Sequence, residues 1–299
     1  MKEGYEEFRN YPFNLERGIE MKRKKLILCF IGAVLLMTGC GGEASLPVYS
    51  NLSEEQVREQ FETELIQAGA AETDAQKSMA IVKEYNDAIQ NTSLVEEGYA
   101  SFDMTMPEYD IDAIQDLWMK NNPDFIGYNC RITAFGLMKD LIMVQDTGGR
   151  NTEYLFLDEA ALDAGELFTA EEREKFETVF SEIKTDASTD TKKQIGVQRE
   201  YWKKAGVTFD EESKLSLITV YLHSHIDENE NSLIAGHAGV LLDTGNEILF
   251  FEKISFELPY QLIRFEDRDQ LKEYLMRCYD VDTTGECASP FILENDRVL

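Results

Sequence analysis

Residues 235–254 read AGHAGVLLDTGNEILFFEKI. Two apolar runs, 235–242 and 247–254, are split by Asp243-Thr244-Gly245-Asn246, a turn signal that predicts a β-hairpin. Working outward, residues 215–226 are rich in β-branched and apolar side chains and predict a preceding strand. Residues 260–265 predict a following one, and 267–279 a closing helix with Leu271, Tyr274, Leu275 and Cys278 inward. The earlier half is helical in texture. Ser53 with Gln56 forms a capping box for a helix to about residue 68. Residues 73–90 carry Met79, Val82, Tyr85 and Ile89 at helical spacing, and 111–120 form a short helix. Residues 129–144 place Ile132, Phe135, Met138, Leu141 and Ile142 on one face, and Thr169 with Glu172 caps a helix through 183. After a polar loop at 185–193 a further helix runs to 205, with Trp118 and Trp202 read as core. Helices followed by an antiparallel sheet define the α+β class. We expect one such domain over 53–299, with a helical insertion around 160–206.

The 299 residues carry 57 acidic against 29 basic side chains, a net charge of −28. This balance excludes nucleic acid as a partner, since phosphate binding needs clustered Lys and Arg. The start of the chain carries export features. From Met21, the expected true start, a basic cluster (Lys22-Arg23-Lys24-Lys25) precedes an apolar run and then Leu36-Met37-Thr38-Gly39-Cys40. The ending resembles a bacterial lipobox. Residues 1–39 then form a signal peptide with an upstream extension, Cys40 is lipidated, and 40–52 is a tether. The expected location is the extracellular face of the cytoplasmic membrane, with the lipid as the membrane contact. Without residues 1–39 the balance is 52 acidic to 22 basic side chains.

Cys130 opens the well-patterned helix that follows Gly127-Tyr128-Asn129. A thiol there feels the positive end of the helix dipole and unpaired backbone N–H groups, both of which favour thiolate. Of three histidines, His237 lies among small residues (Gly236, Ala238, Gly239), which leave room for a substrate or another side chain. A hairpin loop centred on Thr244-Gly245 sets His237 directly opposite Glu252, where a carboxylate would orient and charge the ring. Glu247 and Lys253 read as solvent-facing or edge charges. Arg131 reads as the partner of an acidic neighbour.

The order of helix-start Cys130, strand His237 and Glu252 on the adjoining strand resembles the papain-like cysteine peptidase and amidase superfamily. There the cysteine heads a helix packed on an antiparallel sheet that supplies the histidine and a third polar residue. The resemblance implies amide or peptide hydrolysis through a thioester, without a cofactor. At the cell surface, peptides and cell-wall stem peptides are the substrates within reach. The oxyanion-hole Gln of that superfamily is replaced by Asp124 and Phe125. Asn129, Asn122, Gln261 and its neighbour Tyr260 are the alternative oxyanion or substrate contacts, beside the Cys130 N–H. The segments Asn129-Cys130-Arg131, 236–241, 251–254 and 259–261 also resemble a Gram-positive lipoprotein family of unknown function.

Two other readings stand beside this one. His223 and His225 have a His-x-His spacing that, with His237 and Asp227 or Glu228, suits zinc; the plainer account is a pair of strand-end histidines. A lipoprotein that binds a solute or a partner protein without chemistry fits the acidic surface equally. Cys278 and Cys287 are close enough in sequence to pair, and either way Cys130 is the odd thiol.

Overall fold

A computed structural model describes residues 47–227 and 230–299. The leader, the proposed lipidation site Cys40 and Glu228 lie outside the described residues. The strands are β1 (Val48–Ser50), β2 (Ala100–Ser101), β3 (Ile142–Met143), β4 (Ile183–Lys184), β5 (Thr208–Phe209), β6 (Leu215–Asp227), β7 (Glu230–Asp243), β8 (Ile248–Lys253), β9 (Tyr260–Phe265), β10 (Phe291–Glu294) and β11 (Arg297–Val298). The helices are α1 (Glu55–Ala68), α2 (Glu72–Ala88), α3 (Ile111–Asn121), α4 (Cys130–Met138), α5 (Phe156–Gly165), α6 (Ala170–Val179), α7 (Thr191–Ala205) and α8 (Arg268–Tyr279).

The protein is α+β. A nine-stranded sheet runs β11-β10-β6-β7-β8-β9-β1-β2, with β4 added to β7, and every pairing is antiparallel. One face packs on α1–α7 through side chains such as Leu217, Tyr221, Val240, Leu249 and Phe251. The other carries Ile218, Val220, Leu241, Phe250 and Ile263 against Leu271, Tyr274 and Leu275 of α8. Trp118 and Trp202 are buried in the first of these cores.

Several boundaries differ from the sequence reading. Val48–Ser50, placed in the tether, is a strand paired with β9 and β2. The Ser53–Gln56 capping box does not form. The Ser53 hydroxyl has no partner, and Arg58 instead donates to the Leu52 and Ser53 carbonyls. The Thr169–Glu172 box does form. Helix α4 stops at Met138, and Ile142–Met143 turns into a strand against Thr208–Phe209.

The hairpin loop is Thr244–Glu247, closed by the Thr244 N–H to Glu247 carbonyl bond, so paired residues run Asp243↔Ile248 to Val240↔Phe251. This is two residues from the expected register. A shift of two leaves every side chain on its face, whereas a shift of one would invert them. By this register Glu252 comes opposite Gly239 and reaches His237 along the diagonal, a distance long side chains span.

Two further corrections follow from the packing. The small residues around His237 leave room for the protein itself. A Cβ on Gly239 would come within 2.4 Å of the Phe250 ring and 2.9 Å of the Phe251 carbonyl, and one on Gly236 within 2.2 Å of Leu222. Gly239→Ala should therefore cost about 1–3 kcal/mol in denaturant unfolding, the usual scale for overpacking.

Lys253 is not a surface charge. It shares the helix-side face with Leu249 and Phe251, is fully buried, donates to the Leu258 carbonyl and lies 3.6 Å from the centre of the Tyr85 ring. Burial holds its amine well below the usual lysine range, although Glu257 opposes this. The unfolded chain then binds more protons than the folded one up to the ordinary lysine pKa, so this group makes stability rise with pH. Lys253→Met is expected to raise stability near neutrality by roughly 1–3 kcal/mol and to remove that slope, measured by urea unfolding from pH 6 to 10.

Candidate functional site

Gly127 has φ +89°, and a Cβ there would meet the Trp118 ring at 3.3 Å, so a glycine is needed for the chain to turn into α4. Asn129 then caps the helix, its Oδ1 accepting the Ile132 N–H at 3.0 Å. Cys130 is the first helical residue, and helix geometry leaves its N–H and that of Arg131 without intrahelical acceptors. The Asn129 Nδ2 donates to Asp158 of α5 at 2.7 Å. Arg131 donates to the same carboxylate through Nε (3.0 Å) and Nη2 (2.5 Å), and through Nη1 to the Ala235 carbonyl of β7 (2.8 Å). Arg131 thus has the acidic partner expected of it.

The thiol meets β7 where that strand lacks a neighbour on one side. β8 pairs with residues 240–243 and β4 with 232–233. The start of α4 ties to the stretch between them through the Arg131 bond to Ala235. Within this stretch Gly236 forms a bulge, since Val220 pairs with His237 but Tyr221 with Ala235. The extra residue changes the facing of the strand. Leu233 and Ala235 point to the helix-side core, yet His237 lies with the Phe250 and Tyr279 rings of the α8 side.

His237 Nε2 is 2.5 Å from Glu252 Oε2, and the other Glu252 oxygen accepts the Tyr274 hydroxyl at 2.6 Å. His237 Nδ1 is buried without a hydrogen-bond partner and is the ring nitrogen that Glu252 does not engage. Tyr279 stacks on the imidazole at 4.9 Å between centroids. The cluster is closed: Cys130 is 5% exposed, His237 and Glu252 1% each.

The electrostatics follow from these contacts. Burial alone would push the thiol up, but the charge of the nearby His237, with help from Arg131, brings it below the ordinary cysteine value. Burial would push the imidazole down, but the Cys130 thiolate and then Glu252 raise it to about 9. Each charge favours the other, the thiol shifting down and the imidazole up. Cys278, by contrast, is pushed up to about 12 by burial and the nearby Glu252 charge. Cys130, Cys278 and Cys287 are all free thiols.

The remaining sequence candidates are not brought to the thiol. Gln261 pairs with Glu252 on β9, one strand further from His237, and is fully buried with neither amide atom hydrogen-bonded. Tyr260 lies on the opposite sheet face among Tyr85 and Phe251. Asn122 ends α3, its carbonyl accepting the Phe125 N–H, and its side chain bonds to nothing in the site. The Asn129 amide is committed to its cap and to Asp158, which leaves it a holding role. Strand order and capping geometry, invisible in spacing, thus place Gln261 beyond Glu252, Tyr260 on the other sheet face and the Asn129 amide on Asp158.

His223 accepts the Ala288 N–H at 3.0 Å and His225 Nδ1 bonds Asn231 at 2.6 Å. Among the described residues, no group of three or more His, Cys, Asp or Glu is placed to hold a metal ion. Two members of the site escaped the sequence reading. Tyr274 was recognisable as inward-facing but not as a carboxylate partner. Asp158 had no distinguishing signal, since it sits beside a second acid, Glu159, in the run 155–162.

Fold and site together define an α+β protein with a buried cysteine–histidine–glutamate cluster between a helix start and a β-hairpin. Residues 48–299 match a family described as a domain of unknown function (DUF4300), and the chain belongs to that family. No curated protein and no solved structure matches it. Among the described residues, no helix is long and apolar enough to cross a membrane.

Proposed function

We propose that this protein is a thiol hydrolase of amide or peptide bonds, carried on a lipid anchor at Cys40 outside the cytoplasmic membrane. The observation that carries the reading is the buried cluster of helix-start Cys130 and strand His237, with Glu252 at 2.5 Å on one ring nitrogen; the downward shift of the thiol and the upward shift of the imidazole support it. The likeness to papain-like enzymes lies in this residue order and in the helix-start placement of the thiol.

The Cys130 thiolate attacks the acyl carbon, and its electron pair forms the C–S bond as the carbonyl π pair moves to oxygen. The N–H groups of Cys130 and Arg131 at the start of α4 face the developing oxyanion. Collapse expels the amine, which takes the imidazolium proton from His237. Water then gives a proton to His237 and attacks the thioester, releasing the acid and restoring the thiolate. Glu252 and Tyr274 hold the ring and offset its charge throughout.

The direct test is to incubate the protein with an activated acyl donor such as p-nitrophenyl acetate and with cell-wall stem peptides, and to map the adduct by mass spectrometry. An acyl group on Cys130 that turns over in water is the expected result. Modification confined to Cys278 or Cys287 would remove the proposal.

A second reading, a surface lipoprotein that binds a solute or partner without turnover, is favoured by the 5% exposure of the thiol and the Tyr279 ring stacked on the imidazole. It predicts no adduct at any time.

A further inference from the structure

One carboxylate reaches both halves of the site. Asp158, on α5, is fully buried and accepts three hydrogen bonds, from Asn129 Nδ2, Arg131 Nε and Arg131 Nη2. Through Asn129 it fixes the amide whose oxygen caps the Ile132 N–H, and so the first turn of the helix that carries the thiol. Through Arg131 it holds a guanidinium whose third bond goes to the Ala235 carbonyl, two residues before His237. The contacts run in a line from α5 to α4 to β7.

We propose that Asp158 is the positioning residue of this site: it locks the helix bearing Cys130 to the strand bearing His237, so that α5 sets the separation of sulfur and imidazole. The inference rests on the thiolate–imidazolium reading and adds to it a control point 28 residues from the thiol in sequence. A buried pair kept only for stability offers the competing account. Replacing both partners of such a pair by apolar side chains often leaves stability intact. Positioning would be lost in that replacement, because no group remains to hold Ala235.

The charged and titratable groups that act on Cys130 are His237, Arg131 and Asp158, with Tyr279 feeling the thiol from α8. The experiment compares wild type, Asn129→Ser and the double variant Arg131→Met with Asp158→Leu. Each is scored for cooperative thermal unfolding and for the rate of Cys130 alkylation by iodoacetamide from pH 5 to 10. Asn129→Ser keeps a capping oxygen and removes only the amide that reaches Asp158.

In variants that unfold cooperatively, we expect alkylation at pH 6 to fall about threefold in Asn129→Ser, which leaves the Arg131 charge in place, and tenfold or more in the double variant, part of that through the lost Arg131 charge. Rates at pH 10, above the ordinary cysteine value, should differ from wild type by less than those at pH 6. A folded double variant or a folded Asn129→Ser with the wild-type pH profile would overturn the proposal. If the double variant does not fold, Asn129→Ser decides alone. A wild-type profile that already lacks fast alkylation at pH 6 would strike the thiolate–imidazolium reading itself, which separates the two failures.

Discussion

His237→Ala is expected to slow alkylation of Cys130 at pH 6 by about a hundredfold or more, with a smaller loss at pH 10. An isolated cysteine ionises near pH 8.5, and each pH unit below that leaves tenfold less thiolate. Burial of Cys130 pushes in the same unfavourable direction, so without the imidazolium nothing of comparable size holds the thiolate. The proposed ion pair predicts a wild-type rate that changes little from pH 6 upward. Amide turnover should behave differently. It needs the imidazolium proton for the leaving amine, so it is expected to fall above about pH 9, where His237 loses that proton. The two profiles, flat for alkylation and bell-shaped for turnover, are read in one set of stopped-flow and steady-state measurements. A wild-type alkylation rate that climbs tenfold per unit between pH 6 and 8 would mean that the ion pair does not exist. Cys278 supplies the internal control, since its thiol is raised to about 12 and should stay unmodified at pH 6.

Glu252→Gln is the second large effect. The carboxylate stabilises His237 in its charged form and is itself held by the Tyr274 hydroxyl. An amide in its place keeps the shape but removes the charge. The upper limb of the turnover profile should then move below pH 9, and turnover should drop on the order of a hundredfold. Glu252→Ala goes further, because it strands a buried imidazolium and a buried phenol in a site only 1% exposed. Its expected cost is about 3–5 kcal/mol in denaturant unfolding, the range for breaking a buried ion pair from one side. Unchanged turnover and an unmoved upper limb in a folded Glu252→Gln would show that the glutamate is a bystander. A role limited to stability would instead lower the melting midpoint and leave the pH profile in place.

The closed state of the cluster bears on both experiments. Tyr279 is the last residue of α8 and lies flat on the imidazole, and the same helix supplies Tyr274. One short helix therefore both supports the carboxylate and covers the ring. Small alkylating reagents suit such a site better than peptide substrates for a first measurement.

What could be read in the chain before any coordinates was whatever depends on local pattern. The β-branched and apolar run at residues 215–226 marked a strand, and helical spacing at Leu271, Tyr274 and Leu275 marked α8, because such patterns are written in nearby residues. Cys130 at a helix start was legible for the same reason: a polar cap followed by an apolar stripe is a local signal. That His237 and Glu252 share a face was legible too, since hairpin pairing preserves parity even when the register moves by two.

What only the tertiary structure decided were the matters that depend on distant partners. The Gly236 bulge turns His237 toward α8, and it arises from pairing with β6 rather than from any feature of residues 235–239 alone. Lys253 looked like a surface charge because its burial depends on α2 and β9 closing over it. Gln261 and Tyr260 are neighbours in sequence, yet pleating sends them to opposite faces, and strand order puts Gln261 beyond the glutamate. Asp158 gave no warning of its role, since a carboxylate's value lies in which cations and amides the folded chain brings to it. Periodicity sets which side a residue faces; only the assembled sheet and helices determine what it meets there.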